Sequence, residues 1–373
     1  MNGVLSKILV ISAVLSLLTP RAAAQDKALM ADYQAQLQAL FEEVYTAPTD
    51  NQRYHANESA LQLLGEALEQ EGSFKWQWDF GSRVSVLTAP DKKFRIFTWA
   101  VVNDEQEHEC FGFVQSLDEK EDKYDVYPLY DKSQEIVNRQ EDLLTHDNWF
   151  GTVYQELITT THDGKTYYTL LGWCMVDALT QRKIIEPVCF KSGRSQPQFG
   201  QNVFRKERNL RRVVLEYTTK AMVTMRYEEQ YVRTVERVRA KRKGGGRSGY
   251  AASRRPPKRG KKRTSRVVAT AARTAAAQSE RVTSRPSTKT IDKKYKMIIF
   301  DEVAPQISGM EGLYHYYVPS GVELAYLFVN GRWELREGAQ GRVNDKRLNQ
   351  DFDKPMEKRA PAYRVGGRSE NRQ

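Results

Sequence analysis

Between residues 26 and 46 apolar side chains recur at spacings of three and four: Leu29, Tyr33, Leu37, Leu40, Phe41 and Val44. That period gathers them on one face of an amphipathic helix. Pro48 stops it. A second helix is predicted from about Asn51 to Gln70, with Leu61, Leu64, Ala67 and Leu68 on one face and Gly72 at its end. The short connection makes the pair a helical hairpin.

From Phe74 the period falls to two. Phe74, Trp76 and Trp78 alternate with polar residues. Arg83–Thr88 and Phe94–Val102 flank Ala89-Pro90-Asp91-Lys92-Lys93, a hairpin signal. His108–Gln115 and Tyr124–Tyr130 read as strands, and Asp131–Leu144 as a short helix. Trp149–Thr160 and Thr166–Cys174 flank His162-Asp163-Gly164-Lys165, where Asp-Gly favours positive φ. Lys183–Phe190, Leu210–Thr219, Ala221–Glu228, Tyr295–Phe300, Leu313–Val318, Val322–Val329 and Trp333–Arg336 follow as strands, the last two joined at Asn330-Gly331. The predicted class is α+β, mainly β: an N-terminal helical hairpin, then an antiparallel β-rich domain built as a sandwich or an open barrel.

Two segments break these patterns. Ile8–Leu18 is an eleven-residue apolar run after Lys7, followed by Thr19-Pro20 and by Ala22-Ala23-Ala24 before Gln25. This is the layout of a secretory signal. The run is shorter than the ~20 apolar residues that a membrane-spanning helix needs. Residues 233–296 hold Gly244-Gly245-Gly246, Pro256-Pro257 and an Ala-rich run at Ala269–Ala277, with few large apolar residues. Such a composition does not offset the entropy of ordering, so the segment is predicted to be disordered. The chain thus divides into a leader at 1–24, the helical hairpin at 25–72, a β-rich domain at 73–232 and 297–336, the basic insertion at 233–296, and a flexible tail at 337–373.

Charge sharpens this division. The whole chain of 373 residues carries a net +11. Residues 233–296 alone hold 22 Lys/Arg and 3 Asp/Glu, a net +19, whereas 25–232 with 297–335 hold 24 basic and 38 acidic residues, a net −14. An acidic body carries a basic segment, and the sign of the whole describes neither. Arg254, Arg255, Lys258, Arg259, Lys261, Lys262 and Arg263 are the candidate polyanion-binding residues. Tyr250 is the segment's aromatic residue besides Tyr295 at its end, so it lacks the stacking platforms of single-strand binders, and no dedicated nucleic-acid function is expected.

Catalytic motifs are sparse. The chain has no G-x-S-x-G elbow, P-loop, H-E-x-x-H or C-x-x-C. Its three cysteines, Cys110, Cys174 and Cys189, make no disulfide framework. If 166–175 and 182–190 pair around Ala178-Leu179, Cys189 faces Tyr168, about 20 Å from Cys174 along the strand and beyond disulfide reach. Buried thiols are expected. His108 and Cys110 share one face of a strand, but zinc needs three or four ligands. The acidic run Asp118–Asp125 has lysines at two positions and no glycine, unlike a calcium loop. No metal or cofactor is expected. The six tryptophans, Trp76, Trp78, Trp99, Trp149, Trp173 and Trp333, are expected mostly in the core.

Thr88–Trp99, Thr166–Trp173, Thr180–Ile185, Arg212–Tyr217 followed by Met225-Arg226-Tyr227, Lys296–Asp301, Glu311-Gly312 and Gly331-Arg332-Trp333 together resemble a family of uncharacterised exported β-rich proteins of Bacteroidota-type bacteria. The resemblance covers about residues 88–330. It implies an exported β-rich domain with an insertion at 233–296, and it carries over no catalytic residue. Where the family pattern has an Asp-Gly-Asn type turn after Leu-Leu-Gly-Trp, this chain has Cys174-Met175-Val176-Asp177, so no polar or ion-binding role follows for that turn.

The expectation is a non-enzymatic binding or structural protein, exported to the periplasm or outer-membrane surface of a Gram-negative bacterium or secreted. It would lack a transmembrane anchor and have anionic envelope polymers or an envelope protein as partner. The alternative is a hydrolase acting on glycan or peptide through carboxylates that no motif singles out.

Overall fold

The structure, a computed structural model, describes residues 25–191, 193–205, 209–237 and 288–337. The leader, the C-terminal stretch after 337 and residues 238–287, with all seven candidate basic residues, lie outside them. The chain divides into a large unit, up to Glu229 and from Lys296 onward, and a small one, Gln230–Tyr295.

Two helices open the large unit: α1 (25–46) and α2 (Asp50–Glu69). Thr49 caps α2 by accepting from the Gln52 amide at 3.4 Å. Leu37, Phe41 and Val44 of α1 and Leu64, Ala67 and Leu68 of α2 are buried, as the period of the pattern predicts, while Leu29 at the start of α1 stays exposed. Each large apolar side chain fully buried here contributes about 1.5–3 kcal/mol.

The helices lie against sheet I, formed by β1 (Ser85–Thr88), β2 (Phe94–Val102), β3 (His108–Asp118) and β4 (Lys123–Tyr130) in that order. Strand β2 is buried on both faces, and its alternation sorts two cores. Phe97 and Trp99 pack toward the helices with Leu37, Phe41 and Leu64. Phe94, Ile96 and Ala100 pack toward sheet II. Trp99 Nε1 donates to Asn57 Oδ1 at 2.7 Å, so the helix–sheet interface has a directional contact inside its apolar one. Arg95, also buried, donates to the carbonyls of Phe74 and Trp76 at 2.6 and 3.0 Å. Burial lowers its pKa to about 10.

Sheet II contains β5 (Leu144–Thr145), β6 (Val153–His162), β7 (Lys165–Met175), β8 (Thr180–Phe190), β9 (Pro197–Phe199) and β10 (Val213–Thr218). Its order is β5-β9-β8-β7-β6, with β10 also paired to β8. One edge of β8 is shared: its first half pairs with β10 and its last residues with β9. Beyond sheet II, Ile158, Leu171, Ile185 and Leu215 form a third core with Ile298, Phe300, Tyr326 and Trp333. The last four belong to sheet III: β11 (Met225–Arg237), β12 (Thr288–Pro305), β13 (Tyr317–Val329) and β14 (Arg332–Glu337). Trp333 Nε1 donates to Thr169 Oγ1 at 3.0 Å, joining β14 to β7. Sheets I and II share one core and sheets II and III another, and among the described residues no barrel closes. Among the described residues no helix is long and apolar enough to cross a membrane.

Several local expectations need correction. The short helix expected over Asp131–Leu144 does not form: turns and irregular chain fill 131–143 and Leu144 begins β5. The Asp131 carboxylate accepts the Ser133 amide at 2.9 Å, and Asn138 carbonyl accepts the amides of Glu141 and Asp142. These remain isolated turns that do not propagate into a helix. The strands predicted at Leu313–Val318 and Val322–Val329 are one strand, β13, preceded by a 3-10 turn at Tyr314–Tyr316. Gly321, at φ 85°, sits where the β12–β13 register slips, and lets the strand bend without breaking. Strands β11 and β12 run into the predicted insertion from both sides, to Arg237 and from Thr288. The hairpins at Asp163-Gly164 and Asn330-Gly331 form as predicted, with all four residues at positive φ.

Charged groups buried in sheet II complete the structure. Arg212 and Glu186, both 0% exposed, pair at 2.6 Å. Arg212 also donates to the carbonyls of Arg139 and Phe199 at 2.8 and 3.2 Å. The second Glu186 oxygen accepts from Tyr154 Oη at 2.5 Å, and Tyr154 Oη accepts from Trp149 Nε1 at 2.9 Å. Buried Glu216 binds Arg139 at 2.7 Å and approaches Arg182 at 3.9 Å. The Phe150 ring has Arg182 at 4.6 Å and Arg212 at 5.8 Å.

Two outcomes are expected. Arg212→Met should cost about 3–5 kcal/mol in urea unfolding, because Glu186 is left charged in the interior. Combining it with Glu186→Leu should recover part of that loss; a double variant as unstable as the sum of its parts would contradict the pairing. Burial, then the Glu186 charge, raises the Tyr154 pKa well above its ordinary 10. Folded Tyr154 keeps its proton where the unfolded chain loses it. Its contribution is whole below pH 10 and is lost as pH rises, at about 1.4 kcal/mol per pH unit. Tyr154→Phe should flatten the alkaline limb of a stability–pH curve by one proton.

Candidate functional site

The inward faces of sheets I and II bring together residues that lie far apart in sequence. His108 opens β3, opposite Val102 of β2. Alternation sends Cys110 to the same face, opposite Ala100. Cys174 lies near the end of β7, opposite Arg182 of β8. The Cys110 and Cys174 sulfurs are 3.0 Å apart, with the residues 1% and 0% exposed. The sequence places His108 and Cys110 on one face, and the structure supplies the third member from the other sheet.

Close approach at this place depends on Gly172, two residues before Cys174. A Cβ there would collide with the Thr152 side chain and come within 2.9 Å of the Tyr154 ring. Tyr154 is itself held over the sheet by its amide, which donates to Thr98 Oγ1 of β2 at 3.0 Å.

The surroundings polarise the sulfur pair. Asp131 accepts the Cys110 amide at 3.2 Å, and its charge lies on the Cys110 side. Arg182 and His108 act on Cys174. The Cys110 thiol, then hydrogen bonding from His108 and the charge of Arg182, lowers the Cys174 pKa to about 6 against the opposing effect of burial. The same contact and burial raise Cys110 well above its ordinary value. Of the two thiols, Cys174 is thus the one whose ionisation the surroundings favour. Trp173 meets His108 edge-on, with centroids 5.8 Å apart, and its Nε1 donates to Gln181 at 2.9 Å.

Outside the sulfurs lies a polar depression of about 290 Å³, whose lining includes Tyr54, Glu107, His108, Glu109, Asp131 and Glu135. Burial, then Glu109, raises the Tyr54 pKa to about 12. Glu107 accepts from Asn103 Nδ2 at 3.0 Å. Among the described residues no group of three or more His, Cys, Asp or Glu is placed to hold a metal ion.

Other residues weighed from the sequence fall elsewhere. Trp99, Trp149 and Trp333 are fully buried, and Trp78 nearly so. The carboxylates of the β3–β4 loop meet lysines: Glu119 with Lys93 at 2.8 Å, and Glu121 with Lys123 at 2.6 Å. His162 contacts Asp163 at 3.1 Å, and His315 is half-buried beside Tyr316. Cys174 and Cys189 are apart, as expected, but the register differs by one residue. Tyr168 faces Val188, and Cys189 faces Gln198 of β9. The Asp177 carboxylate, accepting the amides of Leu179 and Thr180 at 2.7 Å each, sets the turn that centres this hairpin on Ala178. The approach of Cys110 to Cys174 has no local signal, because 64 residues separate them.

Compared with known proteins, the chain matches no protein-family model, no curated protein and no solved structure.

In the fully reduced protein, thiolate ultraviolet absorbance should therefore begin to rise at a pH below that of an ordinary cysteine. His108→Ala should move the rise toward the ~8.5 of an ordinary cysteine. A wild-type rise that begins only where an ordinary cysteine's does would refute the polarised pair.

Proposed function

We propose that this chain is an exported, non-catalytic protein of the bacterial cell envelope whose basic segment attracts anionic polymers. The observation that carries this reading is the separation of charge: net +19 over 233–296 against net −14 over 25–232 with 297–335. A basic stretch of this density binds polyanions by releasing their counterions, whatever its conformation. The leader-like segment before Gln25 and the resemblance to exported β-rich proteins support the compartment.

The buried charges support a structural role for the body. Glu186 and Glu216 are bound to arginines in the interior. Asp131 accepts the amides of Cys110 and Ser133. These carboxylates are committed to holding backbone and cations. One observation favours the hydrolase alternative: Glu107, Glu109, Asp131 and Glu135 line a single depression. If glycan or peptide hydrolysis by the purified protein is found and is abolished by Glu109→Gln, the non-catalytic reading is wrong.

Purified protein should be retained on heparin and released as salt rises, with retention largely gone near 1 M, where the screening length is about 3 Å. Deleting 244–284 removes 11 Lys/Arg and leaves β11 and β12 whole, so retention should fall while the melting temperature barely moves. Replacing Arg254, Arg255, Lys258, Arg259, Lys261, Lys262 and Arg263 by Gln should lower the slope of log affinity against log salt, by roughly 0.7–0.9 for each anionic group no longer neutralised. Undiminished retention in both variants would show that another surface binds the polymer.

A further inference from the structure

We propose that Cys110 and Cys174 form a disulfide that cross-links sheet I to sheet II. The two sulfurs meet at 3.0 Å, in a place where neither residue is more than 1% exposed. This is about 1 Å beyond a covalent S–S bond, so only a small side-chain movement closes it. The cysteines stand on strands β3 and β7, which approach each other across the interface between the two sheets. Cys189 is excluded as partner by its place opposite Gln198 on β9.

The core around the sulfurs can hold the bond. Reduced, the pair holds a partly charged sulfur in the interior between Asp131 on one side and His108 and Arg182 on the other. Arg182 keeps its Nε buried with no hydrogen-bond partner. Oxidised, the pair is an apolar link within an apolar core containing Ala100, Val114, Leu170 and Ile184. The link closes a loop of 64 residues between the two sheets, which restricts the unfolded chain.

The oxidant is the disulfide of a thiol oxidoreductase, or oxidised glutathione in its place. The Cys174 thiolate attacks one sulfur of that disulfide. The oxidant's S–S bond breaks, and its second sulfur leaves as a thiolate. Cys110, deprotonated, then attacks Cys174 Sγ and displaces the first oxidant sulfur. The protein loses two protons and two electrons, and the oxidant disulfide becomes two thiols. The folded sulfurs are enclosed, so the reaction belongs to folding, before the sheets close over them. An oxidising compartment, as proposed above, supplies such an oxidant. The inference itself rests on the placement of the sulfurs and is tested in vitro without reference to the compartment or to polymer binding.

The test is to refold the reduced, denatured full-length chain in a glutathione redox buffer, quench with acid, unfold, and alkylate. One thiol, Cys189, should be labelled. The unlabelled intact chain should be lighter than the reduced chain by about 2 Da, the two hydrogens lost. Proteolysis should yield one linked peptide pair, containing Cys110 and Cys174. Cys189→Ser should leave no thiol to label and keep the link. Reductant should lower the wild-type melting temperature by roughly 5–15 °C and leave that of the Cys110→Ala/Cys174→Ala variant unchanged. Three labelled thiols in the refolded wild type, or a link that includes Cys189, would overturn the proposal. The Cys189→Ser result decides the matter even if the double variant fails to fold.

Discussion

The guanidinium of Arg212 and the carboxylate of Glu186 meet at 2.6 Å with both side chains wholly out of water. The arrangement of the β-body around them follows from that constraint. A buried ion pair is tolerable only if its remaining donors and acceptors are satisfied. Here they are met by Tyr154 of β6 and by the carbonyls of Arg139 and Phe199. Five separate segments must therefore arrive at one point. Apolar packing is non-directional and would accept many arrangements of these strands. The hydrogen-bonded charges accept few. One edge of β8 is divided between β9 and β10, and the two are tied there: Arg212, the residue preceding β10, donates to the carbonyl of Phe199 in β9.

The same device recurs at the other interfaces, with neutral groups. Asn57 receives Trp99 between helix and sheet I, and Thr169 receives Trp333 between sheets II and III. Each core thus has a large apolar contribution from aromatic and aliphatic residues and at least one directional bond that limits how the layers slide. Between sheets I and II such marks include the Tyr154 amide on Thr98, the Ser85 hydroxyl on the Tyr154 carbonyl, and the sulfur pair. The sulfur pair lies near an edge, where His108 and Asp131 reach the outer depression as well as the sulfurs. The groups that polarise Cys174 also close that end of the core.

Much of this was legible in the sequence, and the part that was legible is local. The periods of α1 and α2 placed Leu37, Phe41, Leu64 and Leu68 in the core. Alternation located nearly every strand, and Asp163-Gly164 and Asn330-Gly331 located their turns, because backbone sterics at positive φ act within a few residues. The errors were also local in kind. At Asp131–Leu143, side-chain-capped turns prevailed over a helical pattern, and at Gly321 a bulge joined two strands that the pattern divided.

By itself the sequence determined the strands, their faces and the opposition of an acidic body to a basic segment. Side-chain alternation and charge are properties of neighbours along the chain. Only the tertiary structure decided which faces meet. Glu186 and Arg212 are 26 residues apart, Cys110 and Cys174 are 64 apart, and Thr169 and Trp333 are 164 apart. No local pattern records such partners. They are selected by the joint requirement that apolar faces be covered and every enclosed charge and polar group be bound, a condition on the whole fold that no single segment can satisfy.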